Sequence, residues 1–180
     1  MEKSHLEKKF SPAHELLNKE DIIKQIIELQ KNWSQYVTEQ SPLFIQELYE
    51  KNLLRFETDN KGKIIAVLYI QPLDESLPQD DPNQVFRIGG LSPSSSLSGQ
   101  KALIKILRQL EKEVYEKKWN IVGKTDNSDL GEYLKEMGME ELTYEECRVK
   151  YPKFIELYLK ESKKSAEEYP GKMFYVKTTH

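Results

Sequence analysis

The sequence predicts an α/β fold, a mixed sheet of six to seven strands flanked by helices, with a helical part ahead of it. Three observations predict this. Apolar residues in the first fifty positions recur at helical spacing. From Leu53 onward the pattern changes to short apolar and β-branched runs separated by turn residues. In the middle of the chain a long amphipathic helix lies between two strand-like runs. Such a unit makes a parallel pair with a right-handed crossover.

The elements follow in order. Ser11-Pro12 is a helix start signal, a capping residue followed by proline at the first helical position. Asp21 is suited to cap a second helix, whose Ile22, Ile23, Ile26, Ile27 and Leu29 form a one-sided stripe with Trp33 further on. Ser41-Pro42 repeats the start signal ahead of Leu43, Phe44, Leu48 and Tyr49. Leu54 to Glu57 alternates as a strand, Asn60-Lys61-Gly62 is a hairpin turn, and Lys63 to Ile70 is a second, buried strand. Three prolines and the carboxylates Asp74, Glu75, Asp80 and Asp81 make 72–83 an exposed loop. Val85 to Leu91 is a third strand, ending in Gly89-Gly90-Leu91.

A serine-rich stretch from Ser92 to Gly99 leads into the clearest helix, 100–117. Leu103, Ile106, Leu107, Leu110 and Val114 recur on one face of it. Trp119 to Val122 is a short strand. Asn127 to Met137 is a short helix, with Gly138 at its C-terminal end. Glu141 to Lys150 reads as a strand of mixed alternation, Pro152 to about Glu168 as a helix, and Met173 to Val176 as a final strand.

The bulk properties bound the function. A chain of 180 residues fits one domain, with 1–50 as a helical part, 51–150 as the core and 151–180 as a closing helix and strand. No apolar run reaches bilayer length, and Met1 to Phe10 is charged, unlike a secretory signal. The single cysteine, Cys147, has no intrachain partner to oxidise with, so the expected location is cytoplasmic. A net charge of −3 without a long basic stretch argues against nucleic-acid and membrane partners. His5, His14 and His180 are scattered and far from Cys147, so no metal site is expected.

The central loop carries the chemistry. A loop that opens a helix leaves backbone N–H groups converging on one spot where the helix dipole favours an anion. A pyrophosphate fits there, and small residues let it approach. The plain alternative is a serine-rich strand-to-helix connection with no ligand.

Three local patterns in this order resemble the GNAT superfamily of N-acetyltransferases over about residues 50–150. Lys61-Gly62-Lys63-Ile64-Ile65-Ala66 is similar to its turn and strand "(D/N)GK-I-V-G". Leu91-Ser92-Pro93 is similar to "V-x-P" at the end of its central strand. Asn127 to Met139 is similar to "N-x-x-A-x-x-x-Y-x-x-x-G-F", with Asn127, Gly138 and Met139 on matching positions.

The resemblance implies a GNAT-like fold and acetyl-CoA as co-substrate. It implies a donor site at Leu91, Ser96, Leu97, Ser98, Gly99, Gln100, Lys101 and Asn127. The family loop "Q/R-x-x-G-x-G/A" reads here as Ser96 to Lys101. Gly99 is kept, Ser96 stands for Arg or Gln, and Lys101 stands for the last small residue. Asn127 is equally suited to cap the helix after it.

Acetyl transfer to an amine needs a neutral amine and a proton for the departing thiolate. The family tyrosine falls on Leu134, and Tyr133 is one residue earlier, so Tyr133 is the candidate acid or else a packing residue beside Leu130 and Met137. Glu57 is the candidate base, with a solvent-facing strand position as its plain alternative. The acidic loop 74–81 suggests attraction for a cationic acceptor. The expected activity is N-acetylation of a small-molecule or peptide amine, in a chain compatible with a homodimer. The alternative is a non-catalytic GNAT-like binding module.

Overall fold

The computed structural model describes residues 17–33, 40–81, 83–125, 128–162 and 174–177. Two helices, α1 (Lys19–Lys31) and α2 (Pro42–Glu50), precede three antiparallel neighbours: β1 (Leu54–Thr58), β2 (Ile64–Pro72) and β3 (Val85–Pro93). The long helix α3 (Leu97–Lys117) leads to β4 (Asn120–Lys124), which lies parallel to β3. Then come α4 (Ser128–Glu136), β5 (Glu140–Leu142), α5 (Tyr144–Lys150), α6 (Pro152–Ser162) and β6 (Phe174–Lys177). The six strands form one mixed sheet in the order β1-β2-β3-β4-β6-β5. The expected mixed α/β architecture is therefore present, including the parallel pair around the long helix. The Ser11-Pro12 helix lies outside the described residues.

The helices form for local reasons that the packing then uses. Asn18, not Asp21, caps α1, its side chain accepting from the Asp21 N–H at 2.9 Å. Asp21 instead sits in the first turn, where its charge complements the helix dipole. Ser41 caps α2, with Pro42 at the first helical position. The β1–β2 turn is held by Asp59, whose carboxylate accepts from the Lys61 and Lys63 amides at 2.9 Å each. Gly62 follows with φ +79°, a conformation that glycine takes without strain.

Helix α3 packs on β1, β2 and β3, while α1 lies against β2 and β3. Between these layers Val67, Leu68, Ile70, Phe86, Ile106 and Leu107 are buried. A forked ion pair ties α3 to the edge of the sheet: Arg55 Nε and Nη2 donate to the two Glu113 carboxylate oxygens at 3.1 and 2.7 Å. The loop between β2 and β3 is tied to α6 by a bond from Lys153 Nζ to the Asp74 carboxylate.

The segment 141–150 departs from the sequence expectation. Only Glu140–Leu142 is strand, and 144–150 is helix α5. The reason is a capping box. Thr143 accepts from the Glu146 N–H at 3.3 Å, and the Glu146 carboxylate accepts from the Thr143 N–H at 2.8 Å. Tyr144 and Cys147, three residues apart, then share the buried face of one turn. Cys147 is a packing residue on this helix, in a second cluster with Leu142, Phe154, Ile155 and Val122.

Two outcomes follow. Burial pushes the Cys147 thiol up to about 12, so no thiolate forms at neutral pH. An aromatic disulfide reagent will therefore titrate no thiol in the native protein and one after unfolding in urea. The Asp74 carboxyl is held down to about 2, mainly by the bond from Lys153 and then by Ser76, from an ordinary value of 3.8. A depressed carboxylate stabilises above its unfolded value and loses that effect as pH falls through its folded one. Urea midpoints should thus separate wild type from Asp74→Asn by a constant margin above about pH 5. The margin should shrink between about pH 4 and 2 and vanish below that range.

Candidate functional site

The site begins where β3 stops being an ordinary strand. It pairs with β4 only at Val85–Asn120, Phe86–Ile121 and Arg87–Val122, although β3 runs on to Pro93 and β4 to Lys124. Among the described residues the β3–β4 ladder ends at the Arg87–Val122 rung, and a wedge opens toward the C-terminal ends of the two strands. On its other side β3 carries a bulge. Val67 pairs with Ser92 and Tyr69 with Gly89, so Gly90 and Leu91 together oppose Leu68. An extra residue of this kind bends and twists its strand. Gly90 has φ +63°, which a side chain would strain.

The glycine pair serves one tyrosine. A Cβ at Gly89 would lie 2.5 Å from Tyr69 Cζ and 2.6 Å from its hydroxyl oxygen; one at Gly90 would lie 2.7 Å from the same ring. The ring thus lies flat over β3 at the bulge. It is 3% exposed and meets Phe44 of α2 edge-on at 5.4 Å. Arg87 Nη2 donates to the Tyr69 hydroxyl at 2.8 Å and to Gln71 Oε1 at 3.0 Å, and Arg87 is 4% exposed.

At its far end β3 hands over to α3. The Ser94 N–H closes the ladder on the Ile65 carbonyl at 2.6 Å. Ser96 caps α3, accepting from the Gly99 N–H at 3.1 Å, and its hydroxyl lies 2.8 Å from those of Ser94 and Ser98. The Gln100 N–H takes the Ser96 carbonyl at 3.1 Å. Among the described residues, the Leu97 and Ser98 N–H groups have no acceptor, the usual state of a helix start open to a ligand or water. No acid stands in the first turn of α3. Lys101 follows it and opens a trough of about 520 Å³ along the outer face, lined also by Ile104, Lys105, Arg108, Gln109 and Lys112.

The sequence-derived candidates divide accordingly. Leu91 lies on the bulge at the wedge, and Ser96 to Lys101 form the cap and first turn of α3. The structure brings these together. Asn127 lies outside the described residues, between the end of β4 and the start of α4. Tyr133 is half-buried on α4, packed like Leu130 against the main core, and Leu134 is 5% exposed. Glu57 sits on edge strand β1, two strands from the wedge, paired with Lys105 at 2.8 Å. In the acidic loop, Asp74 is engaged by Lys153 and Ser76, and Glu75 lies 4.0 Å from Lys51.

Tyr69 and Arg87 escaped the sequence reading. The available signal was an arginine between Phe86 and Ile88, followed at once by two glycines: a charge inside a buried strand needs a partner across the sheet.

Gly99 is required by the loop itself. A Cβ there would lie 2.2 Å from Ser94 Oγ, 2.6 Å from its carbonyl oxygen and 2.7 Å from its nitrogen. Gly99→Ala is expected to cost about 1–3 kcal/mol, the usual range for overpacking. Gly62→Ala, with open space around it, costs only the strain of its positive φ. Chemical denaturation of both variants checks the order.

No protein-family model matches the sequence, and no curated protein matches it. Solved structures do match. A Mycobacterium tuberculosis protein crystallised in complex with CoA aligns at 14% identity and a TM-score of 0.59, covering 87% of this chain and 93% of that one. An acetyltransferase of the GNAT family from Staphylococcus aureus aligns at 13% identity and a TM-score of 0.56, covering 91% and 96%. An aminoglycoside 6'-acetyltransferase type Ii aligns at 15% identity and a TM-score of 0.55, covering 91% and 93%. The split β3–β4 pair, the bulge and the capped α3 start thus sit in a chain that has the fold of the GNAT acetyltransferases.

Proposed function

We propose that this protein is an acetyl-CoA-dependent N-acetyltransferase acting on the amine of a small molecule or a peptide. The observation that carries the reading is the wedge between β3 and β4, which runs from the Arg87–Val122 rung toward the open N-terminus of α3. The neighbours sharing this fold include acetyltransferases and a protein holding CoA.

The residues present fit such a donor. The Leu97 and Ser98 amides and the positive end of the α3 dipole suit a pyrophosphate. Ser96 takes a different part from the Arg or Gln of the family loop: its hydroxyl is spent on the helix cap, so it shapes the cradle. Lys101, one turn further in, supplies the positive charge instead. The cationic trough beyond it extends the same preference for anions along α3. The unpaired edge of β3 past Arg87 offers backbone donors and acceptors to an extended amide-bearing arm. The donor itself supplies an acetyl carbonyl with a thiol leaving group.

Two features favour the second reading, a non-catalytic binding module: Leu134 in place of the family tyrosine, and the candidate base Glu57 held on the edge strand by Lys105, two strands from the wedge. Asp74 is already ion-paired with Lys153, which leaves any attraction for a cationic acceptor mainly to Glu75, Asp80 and Asp81.

Calorimetry and thermal unfolding with acetyl-CoA separate the readings. Donor binding at a hundredfold excess over its Kd stabilises the native state by about 2.7 kcal/mol. Lys101→Glu should weaken binding at least tenfold, about 1.4 kcal/mol, without changing the melting temperature of the free protein. No heat and no shift at millimolar acetyl-CoA would refute both donor binding and the transferase assignment.

A further inference from the structure

We propose that the outer face of α3 is the contact surface of a symmetric homodimer. The α3 helices of two copies lie antiparallel there, across a two-fold axis at the level of Ile106. The contact is independent of any transferase activity.

Three observations carry it. The first is spacing. Helix α3 buries Ala102, Leu103, Ile106, Leu107, Leu110 and Val114 on its inner side. On its outward side Leu97, Lys101, Ile104, Arg108, Glu111 and Tyr115 follow one another at alternating steps of four and three residues. That alternation keeps side chains along one line of a helix, as in the seam of a coiled coil. At about 1.5 Å per residue the row is about 27 Å long.

The second is exposure. Leu97, Ile104 and Tyr115 are 66%, 37% and 77% exposed. The exposed Leu43 and Val149 stand singly on other elements, which is ordinary. Here three large apolar side chains share one row. The two lysines flanking the row are already engaged, Lys105 with Glu57 at 2.8 Å and Lys112 with Glu116 at 3.8 Å.

The third is the order of charges, which is complementary to itself. Laid end for end against a second copy, Leu97 meets the partner's Tyr115, Lys101 meets the partner's Glu111, and Ile104 meets the partner's Arg108. Each pair recurs on the other side of the axis, because a two-fold contact uses the same patch twice. The outer layers are apolar and the next are ion pairs. The inner layers lay the arginine stem over isoleucine. A parallel arrangement would set Lys101, Arg108 and Glu111 each against its own copy, like charge on like. An antiparallel slip of one heptad would leave two of the six residues without an opposite. A uniformly anionic surface, such as a layer of lipid headgroups, would meet Glu111 in the same row. The charges therefore select a second copy, antiparallel, in this register. The partner's Tyr115 then stands over the first turn of α3, next to the Ser96 cap.

Cross-linking tests the register. Leu97→Cys and Tyr115→Cys are prepared separately, with the native Cys147 buried. Mixed under mild oxidation, the two variants should form a disulfide-linked dimer. Either one alone should form little, because its two thiols would lie at opposite ends of the seam. Sedimentation at rising protein concentration tests the strength. The seam is short, so the wild type should show a monomer–dimer equilibrium with a Kd about micromolar or weaker. Ile104→Lys, which faces the partner's Arg108, should raise that Kd at least tenfold and leave the melting temperature of the dilute protein unchanged. Lys101→Glu and Glu111→Lys should each weaken the dimer similarly, and the two together should restore it to within about threefold of wild type. A wild type that stays monomeric at every concentration would overturn the proposal and leave the face to a different partner. A dimer that survives Ile104→Lys, or that cross-links as readily from one cysteine variant alone, would place the contact on another surface. A double charge swap no tighter than its single variants would overturn the antiparallel register.

Discussion

The extra residue that β3 carries opposite Leu68 is the constraint on which the site depends. Gly90 at φ +63° and Leu91 occupy the span of one residue on β2, so β3 cannot continue as a flat strand. On one side the bend ends its pairing with β4 after three rungs. Beneath it, the missing side chains at 89 and 90 leave the space that the Tyr69 ring fills. A ladder broken in the interior of a sheet exposes backbone groups that must find partners. Here the ladder ends on the strand that leads, through Pro93, into the Ser96-capped start of α3.

Helix α3 holds that arrangement in place from three directions. Its buried face, Leu103 to Val114, packs on β1, β2 and β3. The fork between Arg55 and Glu113 fixes its C-terminal half to the edge strand; bidentate pairs of this kind add geometric specificity as well as energy. At the N-terminal end, Gly99 lies against the Ser94 backbone while Ser96 caps the helix, so the loop is as short as its packing allows. The Trp33 indole on the α1 side donates to the Pro93 carbonyl, so the strand end is also gripped from the opposite face of the sheet. The N-terminal end of α3 is thus a fixed feature of the fold.

Burying the Arg87 guanidinium is costly unless its donors are bonded, and Tyr69 and Gln71 bond it from the neighbouring strand. Fully apolar residues on the three central strands would pack without that expense. The polar set is instead placed where the β3–β4 ladder ends.

The sequence by itself determined the elements whose signals are local. The stripes of α1 and α3, the Ser41-Pro42 start, the hairpin at Gly62 and the strand-loop-helix-strand order are written in residues a few positions apart, and the mixed sheet follows from them. The segment 141–150 was misread for the same reason in reverse. Its alternation suggested a strand, but the capping box of Thr143 and Glu146 starts a helix, and that box was legible at spacing three. Only the tertiary structure decided the rest. Glu57, on a plausible strand, is placed on the edge beside Lys105. Gly99, expected to admit a phosphate, is first required by Ser94. Gly89 and Gly90 have their reason in Tyr69, twenty residues earlier, and Arg87 has its partners on another strand. Those pairings arise from strand register and a bulge, and register is a relation between distant segments that no local periodicity encodes.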